Sequence, residues 1–501
     1  MIKFLPNSKV SIILVLVLLN VSAFAQPGAD SANIGYRSSC QSVWTKYNNL
    51  TEKNSIVRSN NLYRVVYVLE KETGYVTNRH TFIVKRVDLS SEVAFSTFFY
   101  TPLSPNVVGG SVVITDMRLY GDTCYFCGKV KYLLNEYIGG EFVPKTNGLL
   151  GWFSIPGMLN GSGSVYFHEF DTVTQLARLA ISKPDASTLL VSAIGTQRPN
   201  LFPCIVEVKK INNVWENNWH IDCVNNESGM FFSDIMTLRD SITLLAQYDC
   251  ANDNLPGTNG YDNNHQVFLL DRYDLGGCYN MYHSVWSSTM VRYTMNPSED
   301  YYFHYDKAPM RLFHINDLNN EFGVAFGVEK ADGNSGGIRL FAFQNAWQYY
   351  SSLYYQTGLH AEIKEIGNKF KTDSLYVLTT DNTHTNGLIA ALSLGVPYDV
   401  TWLTDNSYTY NSLTQKFAGD HVDVSGHDGS YGFRLFDQDV LNLSLNSCFY
   451  KEIREYEVLP EHLGVRYDVK WEFGVIKKTG WITAEISHPQ ITTTTECKEC
   501  D

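Results

Sequence analysis

Short apolar runs bounded by polar turns recur along the whole chain, and the 3.6-residue periodicity of an amphipathic helix is hard to find anywhere in it. Seven times one such run is followed, after a loop, by a second. The first runs are Leu62 to Val68, Cys124 to Cys127, Leu189 to Ala193, Ile242 to Ala246, Phe322 to Val328, Leu375 to Leu378 and Tyr431 to Phe436. Their partners are Thr81 to Val87, Leu149 to Ile155, Cys204 to Val208, Gln266 to Asp271, Ile338 to Phe343, Leu388 to Leu394 and Cys448 to Ile453. With residues 66, 126, 192, 245, 326, 378 and 434 as the middles of the first runs, successive units start 52 to 81 residues apart. Most copies carry a further short run upstream: Val112 to Met117, Val173 to Ala177, Phe231 to Ile235, Phe313 to Leu318, Glu362 to Ile366 and His421 to Val424. Turn residues such as Gly121-Asp122, Asn319-Asn320 and Asp428-Gly429 separate it from the next strand.

A unit of three or four antiparallel strands cannot bury both faces alone, so the copies must stack around a ring or along a solenoid. Ring closure removes exposed end units, and no polar capping repeat is visible. The expectation is an all-β chain folded as a β-propeller of seven blades, with six and eight as the neighbouring counts. An elongated β-solenoid and two packed β-sandwiches are the alternatives. The period exceeds the ~40 to 50 residues of common propeller repeats, which implies long loops.

The N-terminus reads as an export signal over residues 1 to 25: Lys3 and Lys9, the apolar stretch Ile12 to Leu19, then Ala23-Phe24-Ala25 in the small-x-small form. No later stretch is long and apolar enough to span a bilayer, so the expected location is periplasm, cell surface or extracellular space. Residues 26 to 50 read as a polar leader, 51 to 490 as the repeat domain and 491 to 501 as a flexible tail carrying Cys497 and Cys500. The strands of Arg466 to Ile486 follow the seventh repeat and are expected to complete a blade with the N-terminal strand. Removing residues 1 to 25 leaves 37 basic against 52 acidic residues, a net charge of −15. Such a chain makes a poor nucleic-acid binder, because phosphate contacts need clustered Lys and Arg.

The chain has ten cysteines, and in an exported protein these invite disulfides. Cys204 and Cys223 flank a hairpin through Asn212-Asn213, and Cys250 and Cys278 bracket a strand and its long loop. Cys124 and Cys127 lie three apart in a strand and so face opposite ways, ~10 Å apart.

Aromatic residues make up 14% of the chain and cluster in two places that read as recognition loops. Tyr301, Tyr302 and Tyr305 fall in the widest gap, between repeats four and five; Trp347, Tyr349 and Tyr350 follow repeat five. The competing reading packs them between blades. His421, Asp423, His427 and Asp428 bring imidazoles and carboxylates within eight residues, but a strand end and an Asp-Gly turn explain them, and no metal is expected there. No cofactor is expected; the Asp- and Asn-rich stretch Asp249 to Asn264 offers oxygens for a structural calcium ion without a defined ligand spacing. Asp116, Asp234, Asn316, Glu365 and Asp423 fall at similar places in the upstream runs and are expected to line the central channel. Recurrence favours a structural role, since a catalytic residue is needed once. There is no Gly-x-Ser-x-Gly elbow and no Ser-x-Asp-x-Gly-x-x-Trp box.

The triplets Asp30-Ser31-Ala32, Asp171-Thr172-Val173, Asp240-Ser241-Ile242 and Asp373-Ser374-Leu375 are similar to the O-glycosylation sequon of Bacteroidota. Together with the repeat over residues 51 to 490, the chain resembles the secreted β-propeller proteins of that Gram-negative phylum. The resemblance is architectural. The functional expectation is an exported, non-enzymatic protein that binds a glycan or protein ligand through propeller rim loops, without a nucleic-acid partner. The alternatives are a carbohydrate-active propeller enzyme using channel carboxylates and a structural component of the cell envelope.

Overall fold

The computed structural model describes residues 40–70, 79–89, 91–100, 107–138, 141–183, 185–197, 202–216, 219–224, 230–238, 242–249, 265–271, 281–288, 293–296, 299–301, 303–304, 310–316, 321–330, 336–344, 348–356, 362–367, 374–380, 387–393, 400–403, 408–415, 421–439, 450–453, 456–457, 471–476, 478–479 and 483–499. The N-terminal segment 1–39, Cys250, Cys278 and Cys500 lie outside the described residues.

All ladders between the described strands are antiparallel, and they divide into successive groups along the chain. The first holds β1 (Cys40–Ser59), β2 (Tyr63–Glu70), β3 (Arg79–Arg86) and β4 (Glu92–Tyr100); the second β5 (Val107–Tyr120), β6 (Thr123–Ile138), β7 (Glu141–Ser154) and β8 (Val165–Phe170), with a one-turn helix α1 (Ile155–Leu159) after β7. The third holds β9 (Val173–Ser182), β10 (Thr188–Gln197), β11 (Phe202–Ile211), β12 (Val214–Trp215) and β13 (Trp219–Val224); the fourth β14 (Met230–Leu238), β15 (Ile242–Asp249), β16 (His265–Asp271) and β17 (Met281–Ser288). A two-stranded ladder, β18 (Tyr293–Asn296) with β19 (Glu299–Tyr301), precedes the fifth group of β20 (Phe303–His304), β21 (Arg311–Asn316), β22 (Glu321–Lys330), β23 (Gly336–Gln344) and β24 (Gln348–Gln356). The sixth is β25 (Glu362–Ile366), β26 (Ser374–Thr380), β27 (Gly387–Ser393) and β28 (Val400–Leu403); the seventh is β29 (Tyr408–Gln415), β30 (His421–Asp428) and β31 (Gly432–Asp439).

The long strand β1 serves two groups. Its N-terminal half pairs with β31, with Trp44 opposite Phe436, and so supplies the fourth strand of the seventh group; its C-terminal half pairs with β2, with Val57 opposite Val66. Residues 40–50, read as leader, are therefore sheet. The first strands of the groups touch in the order β1, β5, β9, β14, β21, β25, β29, and β29 touches β1.

The apolar runs are continuous rather than alternating because the sheets are covered on both faces. All eight positions of β2 are buried. Val65, Tyr67 and Leu69 join a core with Phe126 and Phe153 of the second group, whereas Val66 and Val68 join another with Phe433 and Leu435 of the seventh. In the first core Phe82 stacks on Phe95 with ring centroids 5.1 Å apart and meets Phe153 edge-on at 5.1 Å. Each such pair contributes roughly 0.5–1.5 kcal/mol beyond the area it buries. Cys124 faces this core and Cys127 the next one, between the second and third groups, as their spacing requires.

The C-terminal segment runs along the outer edges in nearly reverse order. β32 (Tyr450–Ile453) adds to β28, β33 (Tyr456–Glu457) to β24, β34 (Trp471–Ile476) to β13, β35 (Lys478–Thr479) to β8, β36 (Thr483–Ser487) to β4 and β37 (Thr493–Glu499) to the N-terminal half of β1. Residues 493–499, read as a flexible tail, are a strand, with Cys497 opposite Val43. An edge strand offers unpaired backbone groups, and this segment satisfies them at six of the seven groups. Cys204 is buried and stands directly opposite Cys223 in the β11–β13 ladder.

Candidate functional site

Each of the seven first strands carries a β-bulge, where one extra residue interrupts the ladder with the second strand. The extra residues are Lys53, Thr115, Ala177, Ser233, Ile315, Lys364 and Asn411. The residues that follow them, Asn54, Asp116, Arg178, Asp234, Asn316, Glu365 and Ser412, are polar in every case. A bulge re-aims the side chains beside it and sharpens the local twist. In the second and seventh groups the second strand makes room with glycine: a Cβ on Gly128 would lie 2.0 Å from the Val113 carbonyl oxygen, and one on Gly426 would lie 2.2 Å from that of Thr409.

Where the first strands converge, Asp116, Arg178, Asp234, Glu365 and Ser412 build a buried ionic hub with the further arginines Arg58, Arg118 and Arg311. Arg58 of β1 donates from Nη1 to Glu365 Oε2 and from Nη2 to Glu365 Oε1, both at 2.7 Å, and from Nη2 to Asp116 Oδ1 at 2.7 Å. Its Nε reaches the Met117 carbonyl at 2.7 Å. Arg178 of β9 donates to Glu365 Oε1 at 2.9 Å and to the Lys364 carbonyl at 2.8 Å. Arg311 of β21 donates to the carbonyls of Lys364 and Ser233 at 2.9 and 2.7 Å. Ser412 of β29 completes the shell of Glu365 at 3.0 Å. Asp116 Oδ2 accepts the Leu179 amide at 3.1 Å, and the two oxygens of Asp234 accept the amides of Ile235 and Leu312 at 3.0 and 2.9 Å.

Burial alone would raise the carboxyls of Asp116 and Glu365. The guanidiniums overcome it and hold both below the usual carboxylate range: Arg118, Arg58 and Arg178 for Asp116, Arg58 and Arg178 for Glu365. Both carboxylates are therefore ionised and saturated. Glu52, on the same strand as Arg58, is the opposite case. Burial pushes it up to about 7 against the lowering effect of Ser55, Asn411 and Lys364.

Of the five positions expected to line the centre, Asp116, Asp234, Asn316 and Glu365 occupy the same place after the bulge, Asn316 being described by its backbone alone. Asp423 does not: it sits one strand out, on β30, where Arg64 of β2 donates to it at 3.4 Å. Ser412 takes its place. A set of acids and one amide leaves out the arginines, although Arg178 directly follows its upstream run, Val173 to Ala177. Tyr301 ends β19 and Tyr349 and Tyr350 lie in β24, with Tyr349 opposite Phe343. Tyr302, Tyr305 and Trp347 lie outside the described residues. Asp428 ties a turn, accepting from Ser430 and Gly432 and pairing with Arg434 at 2.6 Å. Among the described residues no three His, Cys, Asp or Glu side chains cluster as metal ligands, and no helix is long and apolar enough to cross a membrane.

A cavity of about 240 Å³ opens beside the hub between the first strands of the second to fifth groups, with Arg118, Tyr120, Ile181, Asp234, Met236 and His314 in its wall.

No protein-family model and no curated protein matches the chain. Among solved structures it is similar to a prolyl endopeptidase (8% identity, TM-score 0.39), over 90% of this chain and 55% of that one, so it spans little more than half the endopeptidase. It is also similar to the Cps50 (Swd1) β-propeller domain of Myceliophteria thermophila (10%, TM-score 0.38, 79% of this chain and 99% of that one) and to the NanB sialidase of Streptococcus pneumoniae (8%, TM-score 0.37, 79% and 70%). At these scores the likenesses add nothing to what the strand ladders themselves show.

Proposed function

We propose that this is an exported seven-bladed β-propeller, closed into a ring by β1, that binds a glycan or protein ligand through its rim loops and does not transform it. The observation that carries the non-catalytic reading is the clamping of Asp116 and Glu365 by arginines. Glycoside hydrolysis needs one carboxyl kept protonated as an acid and another free to act as base or nucleophile. Here both are pushed the same way, towards permanent ionisation, and each is held by at least two hydrogen-bond donors. The contact order of the first strands and the double use of β1 support the ring of seven.

The test is a glycan array run on the purified chain from residue 26 onward, with the same sugars assayed for hydrolysis. Binding without turnover is expected. Turnover that disappears in folded Glu365→Gln or Asp116→Asn variants would overturn the reading. Silence in both assays would reject the glycan arm and leave capture of a protein ligand as its surviving form.

A further inference from the structure

We propose that the cavity beside the hub is a binding site for a small organic acid: one oxyanion group carried on an apolar body of about one ring. None of the residues that line it belongs to the rim loops, and the proposal does not depend on what they hold.

The hub carries one cation too many. Among its described side chains, Arg58, Arg118 and Arg178 pair with Asp116 or Glu365, and Arg311 lines the same space as Asp234, which makes four arginines to three carboxylates. Arg58 spends all three guanidinium nitrogens on acceptors, and Arg178 and Arg311 spend at least two each. Arg118 spends only Nε, on the Leu179 carbonyl at 3.2 Å and beside Asp116 Oδ2 at 3.5 Å. Its Nη1 and Nη2 have no acceptor among the described residues, its side chain is 21% exposed, and it lines the cavity. Two adjacent N–H-bearing nitrogens in a rigid plane match the two oxygens of a carboxylate, sulfate or phosphate. In a partly enclosed site this pairing is screened less than on an open surface.

The rest of the wall sets the other features. Leu119, Leu179, Ile181, Ile235, Met236 and Leu312 are apolar. A cavity of about 150 Å³ suffices for benzene, so about 240 Å³ admits a ring with its acid group. Asp234 already has both oxygens capped by backbone amides, so it needs no cation and would repel a second negative group. One acid per ligand follows.

The test uses benzoate and phenyl sulfate as probes and benzamide as the neutral match, each titrated calorimetrically into the purified protein. Benzoate or phenyl sulfate should bind, benzamide should not, and the better of the two acids identifies the oxyanion. Arg118→Gln should weaken the acid about tenfold or more, and Arg118→Lys by less, because it keeps the charge and loses the fork. Met236→Trp should block binding by filling the cavity while leaving Arg118 in place, which serves if the Arg118 variants fail to fold. Equal binding of benzamide, undiminished binding by Arg118→Gln or Met236→Trp, or no binding of either acid at millimolar concentration would overturn the proposal.

Discussion

Arg58 and Glu365, 307 positions apart in the chain, meet fork to fork through two hydrogen bonds of 2.7 Å. The pair joins the first and sixth strand groups, and Asp116 adds the second through the same guanidinium. A buried ion pair is weak evidence for net stability, since desolvation offsets attraction, but breaking one side of it is costly.

Arg58→Met should therefore destabilise the protein by about 3–5 kcal/mol, because Asp116 and Glu365 would lose the guanidinium that donates to both, leaving Arg178 alone between them. Arg58→Met combined with Glu365→Gln should cost less than the two single changes added together. Urea unfolding of the four proteins measures this. An Arg58→Met variant within about 1 kcal/mol of the parent would show that the hub is solvated or dispensable.

The titrating groups give a pH profile with two slopes of opposite sign. Asp116 and Glu365 have folded pKa values below their unfolded ones, so their stabilisation is present above about pH 4 and is lost as the pH falls further. His80, which burial lowers to about 3, has an unfolded value of about 6.5, so its contribution also fades as the pH drops from there. Glu52 is raised to about 7, so its burial is tolerated when protonated and becomes unfavourable as the pH climbs from about 4.5 to 7.

Glu52→Gln isolates that last slope. The amide retains an oxygen for Asn411, whose Nδ2 donates to Glu52 Oε1 at 2.6 Å, and never ionises. The variant should match the parent near pH 4 and exceed it at pH 8 by an amount on the order of 3 kcal/mol. Melting curves at the two pH values decide this, and a gap independent of pH would refute the assignment.

Gly128→Ala places a methyl against the backbone oxygen of Val113, which cannot rotate away. A loss of roughly 1–3 kcal/mol is expected, as for other overpacked sites, with sheet content retained. Full stability by denaturant titration would mean that the bulge at Thr115 can relax.

Deleting residues 491–501 removes β37 and bares the outer edge of β1 where it joins the seventh group. The shortened chain should melt lower and self-associate, because an unpaired edge invites another strand. Light scattering alongside melting measures both; an unchanged monomer would show that β37 contributes nothing.

Much of this arrangement can be read from the chain, because covered sheets impose continuous apolar runs such as Leu62 to Val68 and Phe322 to Val328. The reading slips in the seventh group for a physical reason. That group borrows its fourth strand from residues 40–51, and its first strand, Tyr-Thr-Tyr-Asn-Ser-Leu-Thr-Gln, is mostly polar in sequence. Counting apolar runs there shifts by one strand, which moves Asp423 into the place of Ser412. The run Cys448 to Ile453 likewise reads as a blade strand, although residues 450–453 edge the sixth group. Bulges leave no pattern of their own in a sequence; in the second and seventh groups their trace is the glycine on the facing strand, Gly128 and Gly426, and β2, β15 and β26 carry none.

The central claim is that β1 locks the first and seventh groups into one closed, cooperative ring. Hydrogen exchange read by mass spectrometry over residues 44–58 and 422–435 tests it most directly. The two stretches should open together with the same free energy, and removing the chain up to residue 51 should abolish protection over 422–435 as well. Protection of 422–435 that survives this deletion would contradict closure through β1.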